Sequence, residues 1–274
     1  MLQSLIQIGL PVALILIMVG VGLGLTPEDF RRVFRQPRGF LIGAFCQMLL
    51  LPLIAMAVIA VTGLHGEIAI GLFILALCPG GTTSNLYSFL ARADVGLSVS
   101  LTAVIGFITP FTIPLLGVWA INHYSDAGSH FELPIVSTWI KLMIITVIPV
   151  VIGMAIRAKW QQFARRMEPL ITRFSVIVLV AVIVSICINL GDKLIGFTLQ
   201  AGPAALLLNI STMGLGYLAG RWFLHSEAQA RAISLEVGLQ NGTLALLITT
   251  SILQSAEMSI APSVYSLIMF VSAS

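Results

Sequence analysis

Two apolar stretches of this 274-residue sequence are interrupted by glycine, hydroxyl and amide residues. The first interruption reads Cys78-Pro79-Gly80-Gly81-Thr82-Thr83-Ser84-Asn85, and the second Glu236-Val237-Gly238-Leu239-Gln240-Asn241-Gly242-Thr243. Glu236 is the only acidic residue well inside an apolar stretch. A carboxylate at bilayer depth costs roughly 2.5–3.5 kcal/mol on insertion scales, so it needs a partner. No Lys or Arg lies deep in such a stretch, which leaves a proton or a bound cation. The polar residues available are neutral and oxygen-rich: Gln47, Ser84, Asn85, Ser98, Thr102, Gln240, Asn241 and Thr243. Hard cations such as Na⁺ take such oxygens together with carbonyls freed by unwinding, whereas transition metals favour Cys and His. Ser98 and Thr102 are four apart and share one face of a helix. Cys46, Cys78 and Cys187 each lie alone in an apolar run and read as small packing residues.

The elements that carry these residues are membrane helices. The chain is 58% hydrophobic and 9% charged, with mean hydropathy +1.04, against about a quarter charged in soluble domains. Long continuous apolar runs exclude the alternating segments of a membrane β-barrel. At about 20 residues per crossing, the sequence predicts nine spans, near 3–25, 39–62, 68–91, 95–121, 136–157, 170–190, 203–223, 229–252 and 262 onward. The first reads as a retained helix rather than a cleaved signal. Twelve basic residues fall in one set of loops: Arg31, Arg32, Arg35, Arg38, Arg92, Arg157, Lys159, Arg165, Arg166, Arg173, Arg221 and Arg231. The alternate set holds only Lys141 and Lys193. By the positive-inside rule the N-terminus is outside and the C-terminus cytoplasmic, in a cell membrane. The net charge of +3 sits in these short loops and is no signal for nucleic acid.

Smaller features complete the reading. Pro27-Glu28-Asp29 predicts an interfacial helix start, and 158–168 a solvated connection. Trp119, Trp139, Trp160 and Trp222 are expected as interfacial anchors, and Pro110 and Pro114 as kinks. Asn189 and Asn209 are expected to bond across helices. His65, His123, His130 and His225 fall in or beside loops, and there is one buried acid, so the pairs an intramembrane protease requires are missing.

Interrupted spans in corresponding positions of two halves point to the ion and substrate site of a secondary transporter. Unwound backbone at that depth survives only inside protein or along a watery cavity. The third span runs inward and the eighth outward, so an inverted repeat would bring the two breaks face to face. Spans five to nine make a unit of five and spans one to four a unit lacking one helix. From Pro262 to Ser274 the last span has too few residues to cross fully, and the expectation is that it continues beyond this sequence.

Pro79-Gly80-Gly81-Thr82-Thr83-Ser84-Asn85, Ala93-Asp94-Val95-Gly96-Leu97-Ser98 and Glu236-Val237-Gly238-Leu239-Gln240-Asn241 resemble the bile acid:sodium symporter family over nearly the whole chain. The resemblance implies an all-α fold with two broken helices that cross in a core domain, here about 39–121 and 203–274. A panel domain, about 1–25 and 136–190, would rock against it. It implies one Na⁺ site from Ser84, Asn85, Ser98, Thr102 and Glu236. A second would use Gln47, Glu236 and Gln240 with backbone oxygens of Val237 and Leu239. The first helix of ten-span members is expected to be absent. The function expected is Na⁺-coupled symport of an organic anion by alternating access, with Thr82, Thr83 and Asn241 contacting the anion. A proton-coupled carrier of the same fold is the alternative, with Glu236 titrating in place of ion binding.

Overall fold

The computed structural model describes residues 9–125 and 133–274. Residues 3–8 of the first expected span, and His130, lie outside the described residues. Helix α1 (Leu10–Gly24) bends by 61° into α2 (Pro27–Arg35). The bend follows from Thr26 and Pro27. Thr26 is extended, and its backbone N–H and hydroxyl both donate to Asp29 Oδ2, at 2.7 and 2.8 Å. Proline at the first helical position leaves no orphaned N–H there. The helix start expected at Pro27-Glu28-Asp29 is therefore present.

Nine further helices and helix pieces follow before the last: α3 (Pro37–Thr62), α4 (Gly66–Leu77), α5 (Thr82–Leu90), α6 (Val95–Tyr124), α7 (Ile135–Lys159), α8 (Gln161–Leu190), α9 (Lys193–Leu224), α10 (Glu227–Gly238) and α11 (Gly242–Ile252). The last is α12 (Ile260–Ser272). Among the described residues, α3, α6, α7, α8 and α9 are each long and apolar enough to cross a membrane, and α1 with α2 makes a sixth candidate. The protein is an all-α polytopic membrane protein. Its outer face carries large exposed apolar side chains such as Leu41, Phe45, Leu53, Ile144 and Ile177, which suits lipid rather than water.

The third and eighth expected spans are the interrupted ones, α4/α5 and α10/α11. Much of their length is enclosed, apart from α5, where only Ser84 and Ser88 are buried. Every residue of α4 except Glu67 is buried, as is α10 from Leu235 to Gly238 and α11 from Gly242 to Leu247. A helix apolar on every side belongs in the interior. The long helix α3 precedes the first broken pair and α6 follows it; α9 and α12 flank the second pair in the same order. Helix α1 packs on α7 and α8, while α4 packs on α3, α6 and α12, and α9 on α10 and α12.

Two boundaries differ from the expected ones. Residues 161–168, expected as a solvated connection, are mostly exposed and form the first turns of α8. Gln161, Ala164, Arg165, Arg166, Met167 and Glu168 are good helix formers, and the only stop is Trp160 (φ −129°, ψ 65°). Helix α9 starts ten residues before 203 because Pro203 lies within it rather than at its start. Helix α6 likewise runs through Pro110 and Pro114 as one element. In α3 one turn is widened at Cys46–Leu50, ahead of Pro52, whose missing N–H cannot serve the carbonyl four residues back. That widened turn carries Gln47.

The basic loops cluster on one end of the bundle. Arg32 pairs with Asp94 at 3.2 Å, Arg231 donates to the Ala91 carbonyl at 3.1 Å, and Arg231 pairs with Glu227 at 2.9 Å. The Tyr217 hydroxyl, with Arg231, holds the Glu227 carboxyl below the usual carboxylate range. Trp160 and Trp222 are exposed at helix ends near this face.

Candidate ion and substrate site

The two breaks lie against each other as a minimal antiparallel pair, Gly80 opposite Gln240. Gly81 N–H donates to the Leu239 carbonyl at 2.8 Å, and Asn241 N–H donates to the Pro79 carbonyl at 2.9 Å. Each break thus satisfies part of the other's freed backbone, as burial demands. The antiparallel pairing means that the broken helices cross in opposite senses. Proline at 79 and extended backbone at Cys78 (φ −70°, ψ 155°) and Gly81 (φ −80°, ψ 157°) end α4 and open α5. Asn241 opens α11, with its side-chain oxygen accepting from Leu244 N–H at 3.0 Å.

Glu236 sits two residues before the end of α10 and is fully buried. Its carboxylate accepts from Thr102 Oγ1 at 2.6 Å, Ser84 Oγ at 2.7 Å and Ser98 Oγ at 3.0 Å. Ser98 Oγ also lies 2.9 Å from Asn85 Oδ1, and Ser84 Oγ 2.7 Å from the Gly81 carbonyl. All five residues expected at the first ion position therefore meet. Their oxygens outnumber their protons. Three hydroxyl protons face two carboxylate oxygens, Asn85 Oδ1 and Gly81 O, and each hydroxyl donates only once. Such a cluster has lone pairs to spare for a hard cation. Gly80 makes the close approach possible: a Cβ there would stand 2.2 Å from Glu236 Oε1.

The residues expected at the second position also gather, in a different state. Gln47 Nε2 donates to the Cys78 carbonyl and to Gln240 Oε1, each at 2.9 Å. Gln240 Nε2 donates to the Val237 carbonyl at 2.7 Å and to Gln47 Oε1 at 3.3 Å. The Gln240 amide nitrogen thus lies between two oxygens, those of the Val237 carbonyl and the Gln47 amide. Turning the Gln240 amide over would present an oxygen there instead. The Leu239 carbonyl is held by Gly81 N–H. Among the described residues, the hydrogen bonds of the Glu236 carboxylate go to Ser84, Ser98 and Thr102, and none goes to Gln47 or Gln240.

Thr82, Thr83 and Asn241 line a cavity of about 60 Å³ with Pro79, Gly80 and Gly81. Its other wall comes from α1, α7 and α8, through Ile17, Met18, Val21, Val150 and Leu179. The crossing is electrically sorted. Helices α5 and α11 begin at it, with positive dipole ends beside Thr82 and Gly242. Helices α4 and α10 end at it, with carbonyls toward Gln47 and Gln240.

The sequence profile of the Sodium Bile acid symporter family matches residues 11–197, more than half of the chain. The chain belongs to this family. An uncharacterized sodium-dependent transporter, YocS, of Bacillus subtilis (strain 168) is 28% identical over 242 residues, covering 86% of this chain and 72% of its own. A probable chloroplastic sodium/metabolite cotransporter, BASS1, of Arabidopsis thaliana is 29% identical, covering 87% of this chain and 58% of its own. The ileal sodium/bile acid cotransporter of Mus musculus is 28% identical, covering 89% and 69%. Members of the Sodium Bile acid symporter family are sodium-dependent transporters rather than enzymes.

Some groups at this family site escape sequence reading. The contact of Gly80 with Glu236 depends on how the breaks cross, although the Pro79-Gly80-Gly81 run is its visible trace. Tyr265 and Asn209 both touch the Gly238 carbonyl. Asn209 bonds across helices as its type suggests, while Tyr265 is a lone tyrosine in an apolar run with no distinguishing pattern. The Asn189 side chain lies outside the described residues.

Proposed function

We propose that this chain carries an organic anion across the cell membrane, driven by two Na⁺ bound at the crossing of the broken helices. The observation that carries the reading is the buried cluster around Glu236, with more oxygen acceptors than protons and, among the described residues, no Lys or Arg bonded to it. The first Na⁺ takes Ser84, Asn85, Ser98, Thr102 and Glu236. The second takes Gln47, Gln240 and the Val237 and Leu239 carbonyls once the Gln240 amide has turned, with Glu236 supplying charge from the adjoining turn. Two cations against one carboxylate leave a surplus of about one positive charge. With the positive ends of α5 and α11 this favours an anion beside Thr82, Thr83 and Asn241.

Helices α1, α7 and α8 act as a panel, and the remaining membrane helices as a core. The cavity lies between these two groups. At about 60 Å³ it holds only a handful of water-sized bodies, so an organic anion needs the panel and core to part. Rocking of one group against the other around a fixed site provides alternating access. Na⁺ raises anion affinity because it fixes the breaks and adds charge, and the anion raises Na⁺ affinity by the same factor. The loops rich in Arg lie in the cytoplasm and the N-terminus outside.

The test is uptake of radiolabelled carboxylates into proteoliposomes under an inward Na⁺ gradient. The reading expects uptake that collapses in choline. Uptake that follows a pH gradient with no Na⁺ requirement would favour proton coupling through Glu236.

A further inference from the structure

Counting back from the paired Gly80 and Gln240, Cys78 and Gly238 hold equivalent places, each two residues earlier. Each carbonyl accepts an amide N–H from the long helix that precedes its broken pair. Gln47 Nε2 of α3 donates to Cys78 O at 2.9 Å, and Asn209 Nδ2 of α9 donates to Gly238 O at 3.0 Å. The second break has an additional donor. The Tyr265 hydroxyl of α12 donates to the same Gly238 carbonyl at 3.0 Å, and Asn209 Nδ2 lies 3.2 Å from that hydroxyl. Asn209 and Tyr265 are both fully buried.

Gly238 stands between Val237 and Leu239 at the point where helical backbone gives way to Leu239 (φ −101°, ψ 81°). A buried carbonyl at such a point must be paired, and its direction constrains the peptide planes on either side. With Gly238 O drawn toward α9 and α12, the Val237 carbonyl faces Gln240 Nε2 and the Leu239 carbonyl faces the first break. If Gly238 O were released, the same backbone could turn the neighbouring carbonyls away from Gln47 and Gln240.

We infer that Asn209 and Tyr265 are positioning residues for the second Na⁺: they touch no ion, but fix the Gly238 carbonyl and through it the Val237 and Leu239 oxygens. This rests on the Na⁺ reading given above. The two side chains share one acceptor, so either alone keeps Gly238 O paired, and removing both orphans it.

The experiment is calorimetric Na⁺ titration of the detergent-purified full chain, with thermal unfolding in KCl as a measure of folding. It compares wild type, Tyr265→Phe, Asn209→Ala and the double variant. Phenylalanine fills the space of Tyr265, so that variant keeps the test alive where Asn209→Ala fails to fold. Each single change is expected to weaken Na⁺ binding roughly three- to tenfold, the range of one net hydrogen bond. The double change is expected to weaken it by more than the product of the two. A purely structural role would lower the unfolding temperature equally in Na⁺ and K⁺ and leave Na⁺ affinity unchanged; that result overturns the inference. Absence of Na⁺ binding in wild type would overturn the ion reading itself and this inference with it, and would appear before any variant is made.

Discussion

Replacing Gly80 with alanine is the sharpest steric perturbation of the ion cluster. Gly80 does not use positive φ, so the change costs nothing in backbone strain. Its effect is contact alone. The added Cβ would stand 2.2 Å from Glu236 Oε1 and 2.6 Å from its carboxyl carbon. Carbon and oxygen come no nearer than about 3.3 Å even in favourable C–H···O contacts, so the carboxylate must retreat by about 1 Å. Oε1 is the oxygen held by Thr102 Oγ1 at 2.6 Å. A retreat of that size stretches the bond past useful range and pulls Glu236 out of the oxygen cluster. A hydrogen bond to a charged group is worth about 1.5–3 kcal/mol. Na⁺ affinity is therefore expected to fall by about tenfold to a hundredfold. The assay is the Na⁺ concentration that half-saturates the rise in unfolding temperature of the purified protein. Gly106→Ala is the control, since Gly106 lines the same cavity and a Cβ there meets nothing within 4 Å. If Gly80→Ala half-saturates at the wild-type Na⁺ concentration, Glu236 is not the ligand that this geometry makes it.

Further outcomes follow from other contacts. Gln47→Ala removes the partner of Cys78 O and Gln240 while leaving the Glu236 cluster intact. Na⁺ titration should then lose cooperativity and keep one site; loss of both would make Gln47 structural. Asp94→Ala removes both the cap on Leu97 N–H and the ion pair with Arg32. It should cost about 1–2 kcal/mol of stability, read as a lower unfolding temperature with the Na⁺-induced increment preserved. Gly71→Ala would drive a Cβ to within 1.9 Å of the Met258 carbonyl. Expression and unfolding temperature should fall sharply, because backbone on both sides has nowhere to move.

Much of the site is legible in the chain because burial makes polar residues conspicuous. Glu236, Ser84, Asn85, Ser98 and Thr102 stand out against an apolar background and do converge. The helix breaks show through Pro79 and the adjoining glycines, since these residues cannot sustain a uniform helix. Other features depend on geometry that no local pattern encodes. The approach of Gly80 to Glu236 and the meeting of Asn209 with Tyr265 at Gly238 arise from crossings between distant segments. The amide exchange between Gln47 and Gln240 is a choice of rotamer, not of sequence. The helical start of α8 does not stand out in the sequence, because its Arg and Gln residues suit a solvated connection and are also good helix formers. The extent of α9 is hidden in the sequence by Pro203, which looks like a boundary although the helix runs through it.

The most direct test of the central claim is thermal unfolding of the purified protein across NaCl and matched KCl or choline chloride, for wild type and Glu236→Ala. A ligand that binds only the native state stabilises it by about 2.7 kcal/mol at a hundred times its dissociation constant. Wild type is expected to show a Na⁺-specific rise in unfolding temperature, and Glu236→Ala to lose it. Equal stability of wild type in all three salts, or an undiminished Na⁺ response in Glu236→Ala, would contradict that claim.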